Sequence, residues 1–186
     1  MEIYKFDGNA TASVKGMQHV AKLIQGNTSK IVVLSAPKDV TKHLGEVAAN
    51  FFNRNIEEAH DKITRLEFQF IDFANELLTD DTIKHEAIRG ILDCFRAIWK
   101  YSMEPFYATD EKEILAQGEL LTSTLLGFYL QEQGVDNSVI CAFDFIRTGM
   151  NGEADEEYIS RKVKEICKSY PDTHLFLTQG LSLIHI

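Results

Sequence analysis

A lysine, a glycine turn and the start of a helix stand together near the beginning of this chain, in Lys5-Phe6-Asp7-Gly8-Asn9-Ala10 with Ser13 just beyond. A strand, a tight turn and a helix start form a common way to hold a phosphate, because free backbone N–H groups then point at the anion. Lys5 adds a cation at the strand end. Further on, Ser35 lies in the apolar run Lys30 to Ala36, and Thr41 follows Pro37-Lys38-Asp39. The plainest uses of these two hydroxyls are a turn and a helix cap. Glu119, just after Gly118, is expected in the first turn of a helix, where the dipole favours a carboxylate. Arg147 and Thr148 follow an apolar strand. Ligands of open α/β sheets gather beyond the C-terminal ends of the strands, so Glu119, Arg147 and Thr148 could converge there on one small polar substrate.

The elements that must position these groups alternate in type. Met1 to Phe6 reads as a short strand, and Ser13 caps a helix carrying Val14, Met17, Val20, Ala21 and Ile24. Lys30 to Ala36 is a second strand, with a helix beginning near Thr41. From Ile56 to Met103 the apolar residues keep helical phase, first through Ile63, Leu66, Phe70 and Leu77, then through Ile88, Ile91, Phe95 and Trp99. Thr79-Asp80-Asp81 divides them and offers Asp80 as a cap, which gives a helical hairpin.

Glu113 to Thr148 reads as a glycine turn, an amphipathic helix, a second turn at Gly134 and a strand over Ser138 to Phe143. Leu120, Leu121, Leu125, Phe128 and Tyr129 mark the apolar face, with Thr122, Ser123 and Gln131 toward water. A charged helix over Asp155 to Ser169 and a last strand over Asp172 to Thr178 complete the order. Strands alternating with helices predict an α/β fold around a mainly parallel sheet.

Composition narrows the function class. With 45% hydrophobic residues in 186, the chain can bury the core of one domain. A net charge of −9 with no face rich in Lys and Arg argues against nucleic acid, and strand-sized apolar runs argue against a membrane span. Without a signal pattern, the cytoplasm is the expected compartment. Cys94, Cys141 and Cys167 lie far apart and without zinc spacing, and His43, His60 and His85 form no ligand pair, so no metal site is expected.

Three of these segments also resemble a known family. AQGELLTSTLL, the following strand with DFIRT, and IVVLSAPKDVTKHLGEVA are similar to the amino-acid kinase family, and specifically to aspartate kinases. The resemblance implies a three-layer αβα sandwich with a helical-hairpin insert. It also implies transfer of the γ-phosphoryl of ATP, as its Mg2+ complex, to the side-chain carboxylate of L-aspartate, the first step toward lysine, threonine and methionine. ATP would be held by Lys5, Phe6, Gly8, Asn9 and Ser35, with Lys5 as the catalytic cation. L-aspartate would be held by Thr41 and Glu119, with Arg147 and Thr148 on the substrate side.

Departures from the family pattern carry their own expectations. The family loop reads Lys-Phe-Gly-Gly-Thr-Ser, so Asp7 places a carboxylate where glycine stands, and Asn9 and Ala10 remove two hydroxyls. Gly149 replaces an acidic residue. The Arg-Gly-Gly-Ser-Asp segment and the regulatory ACT domains that follow in the family are not in the sequence, so residues 1–180 are expected to be an N-terminal part that is inactive alone. The full-length protein is expected to be a homo-oligomer, and Leu181 to Ile186 a non-native tail. The alternative is a catalytically dead aspartate-kinase-like protein acting as a binding or regulatory partner; another amino-acid or carbamate kinase of the same fold fits less well.

Overall fold

The computed structural model describes residues 1–149 and 153–180. The order is β1 (Glu2–Phe6), α1 (Val14–Ile24), β2 (Lys30–Leu34), α2 (Lys38–Phe52), α3 (Ile56–Leu77), α4 (Asp81–Trp99), α5 (Glu111–Glu132), β3 (Ser138–Val139), α6 (Glu156–Ser169) and β4 (Leu175–Gln179). The four strands run parallel in the order β1-β2-β4-β3. Parallel strands need helical crossovers, and the crossovers cover both faces.

One face carries Val32, Leu34, Leu175 and Leu177 against α1 and α5, continuous with the core of α2, α3 and α4. The other carries Ile31 and Phe176 against Ile159, Val163 and Ile166 of α6. The three layers are therefore those expected. Ser13 caps α1 by accepting from the Gly16 N–H, and Asp80 caps α4 by accepting from the Ile83 N–H. The turn between α3 and α4 is also held from outside, because Glu132 Oε1 accepts the N–H groups of Thr79 and Asp80 at 2.6 and 2.7 Å.

Four sequence expectations are corrected. The helix expected after Gly118 begins at Glu111, so Gly118 and Glu119 lie in its interior and Glu119 gains nothing from the helix dipole. Gly118 still serves close approach: a Cβ there would stand 3.0 to 3.2 Å from Ala36, Leu44 and Val40. Thr122 and Ser123 are buried instead of facing water, because α5 touches four helices and three strands. Their hydroxyls bond back to carbonyls one turn earlier, which satisfies them without solvent.

The strand expected over Ser138 to Phe143 is two residues long and gives way to a 3-10 turn at Ala142–Asp144. The Ala142 N–H donates to the Gln179 side chain at 2.8 Å, which takes the place of a further ladder bond. Finally, α2 begins at Lys38, three residues before Thr41. Pro37, with φ of −53°, starts the helix, and its carbonyl accepts from the Thr41 N–H. Gly134 closes α5 with φ of 71°, as its sequence position predicts. Residues 181–186, read from sequence as a tail, lie outside the described residues.

Candidate functional site at the C-terminal edge of the sheet

The C-terminal ends of β1, β2 and β4 meet in register. Lys5, Val33 and Thr178 form one row across the sheet, and Phe6, Leu34 and Gln179 form the next. Backbone bonds continue past the strands: Ser35 N–H donates to the Phe6 carbonyl at 3.2 Å, and Gly180 N–H donates to the Leu34 carbonyl at 2.8 Å. Lys5, Ser35 and Gly180 are thereby fixed along one edge.

Helix α5 brings Glu119 to this edge. Gln179, 1% exposed, bridges the end of β4 to α5 by donating to Ser123 Oγ at 2.8 Å, one turn after Glu119. On the other side Gly118 packs on Ala36 and Val40, where β2 passes into α2. Glu119 Oε2 is buried and, among the described residues, has no hydrogen-bond partner. Burial pushes its carboxyl up to about 7 from the ordinary 4.5, and the Lys5 ammonium pulls weakly in the other direction. A buried carboxylate oxygen without a donor is an unusual feature in a folded chain and a natural place for a ligand cation.

On the α6 side a cleft of about 660 Å³ runs from Lys5, Thr178, Gln179 and Gly180 along Ile31 and Val33, with Ile159, Val163 and Cys167 opposite. Thr178 Oγ1 is buried there and, among the described residues, also lacks a partner. Sequence reading missed both Thr178 and Gln179. A threonine in an apolar strand is an ordinary choice, so only the register to Lys5 marks it.

The residues expected to bind fall into two groups. Lys5, Phe6, Gly8, Ser35 and Glu119 come together around the ends of β1 and β2. Gly8 is tightly seated: a Cβ there would stand 2.0 Å from the Ala36 carbonyl oxygen. Thr41 is next to this group in the first turn of α2, exposed, with its hydroxyl donating to the Pro37 carbonyl at 3.2 Å. Arg147 and Thr148 are engaged elsewhere. The Arg147 guanidinium donates to Asp155 from both Nε and a terminal nitrogen and lies 4.0 Å over the Tyr158 ring. That pair holds the Asp155 carboxyl below its ordinary range. Thr148 bridges to Ala154 in an antiparallel pair.

The loop between β1 and α1 differs from an open phosphate cradle. Asp7 Oδ1 accepts the N–H groups of Asn9 and Ala10 at 2.9 and 3.2 Å, and the Asp7 carbonyl accepts from Ala10 as well. Ser13 takes the Gly16 N–H. The N–H groups of Asn9, Ala10 and Gly16 are thus already paired with the chain's own oxygens. Nor do the described residues gather three acidic, His or Cys side chains able to hold a metal ion. A phosphate in this loop would compete with the Asp7 carboxylate for the Asn9 and Ala10 N–H groups.

No protein-family model matches the sequence, and no curated protein matches it either. Solved structures do resemble it. E. coli aspartokinase III in complex with aspartate and ADP (R-state) aligns at a TM-score of 0.75 and 20% identity, over 97% of this chain and 40% of that one. The same enzyme with lysine and aspartate (T-state) gives 0.76 at 20% identity and the same coverage. The aspartate kinase of Clostridium acetobutylicum gives 0.70 at 18% identity, over 97% of this chain and 38% of that one. The fold is therefore that of aspartate kinases, and the chain spans about two fifths of the length of these relatives.

Proposed function

We propose that this chain is the amino-acid-binding part of an aspartate-kinase-like protein and holds L-aspartate at the C-terminal edge of its sheet. The observation that carries this reading is Glu119, whose buried and unpartnered Oε2 sits within reach of the Lys5 charge. The ammonium group of the amino acid pairs with Glu119. Lys5 faces a carboxylate of the same ligand, so the two charges of the protein match the two signs of the zwitterion. Thr41 supplies a hydroxyl to a carboxylate when its bond to the Pro37 carbonyl opens. Arg147 and Thr148 shape the approach near α6 and are assigned no ligand contact.

In a whole kinase of this kind the acceptor is the side-chain carboxylate, which receives the γ-phosphoryl of ATP. Such a transfer asks the protein for alignment of two anions and a nearby cation more than for covalent participation. Lys5 is that cation in the proposed scheme. A second reading, a relative that binds the amino acid but performs no transfer, is favoured by one observation, the pairing of Asp7 with its own loop.

Calorimetric titration tests the binding reading. L-aspartate is expected to bind, whereas succinate, which lacks the ammonium group, binds at least about tenfold more weakly. Equal affinities would remove Glu119 from the proposal. Release of ADP from ATP and aspartate by a whole protein that carries this chain separates the two readings, since only the kinase reading allows it.

A further inference from the structure

We propose that Asp7 is a built-in anion that occupies the β1–α1 loop and keeps nucleotide phosphate out of it. The proposal rests on the reading of this edge given above, but a different ligand decides it. Three observations converge. The Asp7 carboxylate accepts two successive backbone N–H groups, those of Asn9 and Ala10, in the manner a phosphate oxygen would.

The loop is also tightly packed at two of its glycines, which limits how far it can shift. Gly8 has no room for even a methyl group against the Ala36 carbonyl, and a Cβ on Gly16 would stand 2.5 Å from the Ala10 carbonyl oxygen. Finally, the net charge of the loop works against phosphate. Asp7 stands two residues from Lys5, so an incoming polyanion meets a carboxylate beside the ammonium meant to attract it.

A phosphate entering this loop must displace Asp7 from two hydrogen bonds and then sit beside its charge. The two costs can be separated by substitution. Asp7→Asn keeps an oxygen that accepts the same N–H groups and removes only the charge. Asp7→Gly removes both, frees the Asn9 N–H and leaves the Ala10 N–H only its bond to the backbone carbonyl of residue 7. Neither change alters Glu119, and the amino-acid side is followed in the unsubstituted chain.

The test uses the 15N-labelled full chain and inorganic tripolyphosphate, followed through the backbone amide signals of Gly8, Asn9 and Ala10. In the unsubstituted protein these signals are expected to stay in place. In Asp7→Gly they are expected to move saturably, with affinity at least about tenfold higher, and Asp7→Asn is expected to fall between. Circular dichroism checks that both variants fold, and Asp7→Asn keeps the test open should Asp7→Gly unfold.

Saturable movement of the loop amides in the unsubstituted chain, as strong as in Asp7→Gly, would overturn the proposal. So would a folded Asp7→Gly, or a folded Asp7→Asn where Asp7→Gly unfolds, whose amides ignore tripolyphosphate. L-aspartate titrated into the unsubstituted sample reports on the amino-acid reading alone. Its failure to bind leaves the tripolyphosphate result to decide Asp7.

Discussion

Two parts of one sheet edge treat charge in opposite ways. At the α5 side the chain buries a carboxylate oxygen and gives it no donor. At the β1–α1 loop it places a carboxylate in the open and gives it two. The first arrangement is unfavourable until a cation arrives, so it suits a ligand. The second is already complete, so an arriving anion has to undo it. Unsatisfied polarity, more than the presence of charged residues, separates a vacant site from a closed one.

This contrast can be broken at several points. The largest effect is expected at Gly8, where the β1–α1 loop packs on Ala36 and Pro37. Its Cβ would meet backbone at 2.0 Å, so Gly8→Ala should destabilise the fold by about 3 kcal/mol in a urea titration. An unchanged midpoint would mean that the loop is free to move, which would weaken the case for a tightly packed, self-occupied turn.

Next comes the open side. Glu119→Gln keeps the shape and removes the charge, and L-aspartate affinity should drop by about 30-fold or more by calorimetry. A variant that binds as well as the parent would show that the buried oxygen has no ligand of its own.

Acidity gives a smaller and graded effect. The folded value of about 7 for Glu119 lies above the ordinary 4.5, so its charge is missing below pH 7 and aspartate affinity should fall by up to about tenfold per unit there. Stability runs the other way. This group's contribution to stability is fully present below about pH 4.5 and is lost as pH rises through about 7. Glu119→Gln should therefore be more stable than the parent at pH 8, by roughly 1 kcal/mol after discounting for its partial exposure, and nearly equal at pH 4.

The smallest effect is expected at Arg147. Its partners are Asp155 and the Tyr158 ring, and the Arg147 side chain is more than half exposed. Arg147→Ala should change aspartate affinity by less than about threefold and lower stability by no more than about 1 kcal/mol. A tenfold loss of affinity would return this residue to the ligand.

Much of this was legible in the residues. The strand, turn and capped helix at the start, the hairpin divided at Asp80, and the charged helix after Asp155 all follow from periodicity and capping chemistry, which act over a few residues. Lys5 and Gly8 could be singled out because strand ends and glycine turns are local features, whereas Ser35 was marked only by the family resemblance. Thr178 and Gln179 could not be singled out, since their meaning comes from a row of neighbours supplied by β1, β2 and α5.

The sequence by itself determined which segments are strands and helices in an α/β chain, and which side chains lie at their ends. Only the tertiary structure decided whether those ends are open or occupied. Asp7 and Glu119 are both carboxylates in the string of letters. Packing leaves one without a donor and folds two donors onto the other, and that difference depends on distances between atoms that local sequence cannot specify.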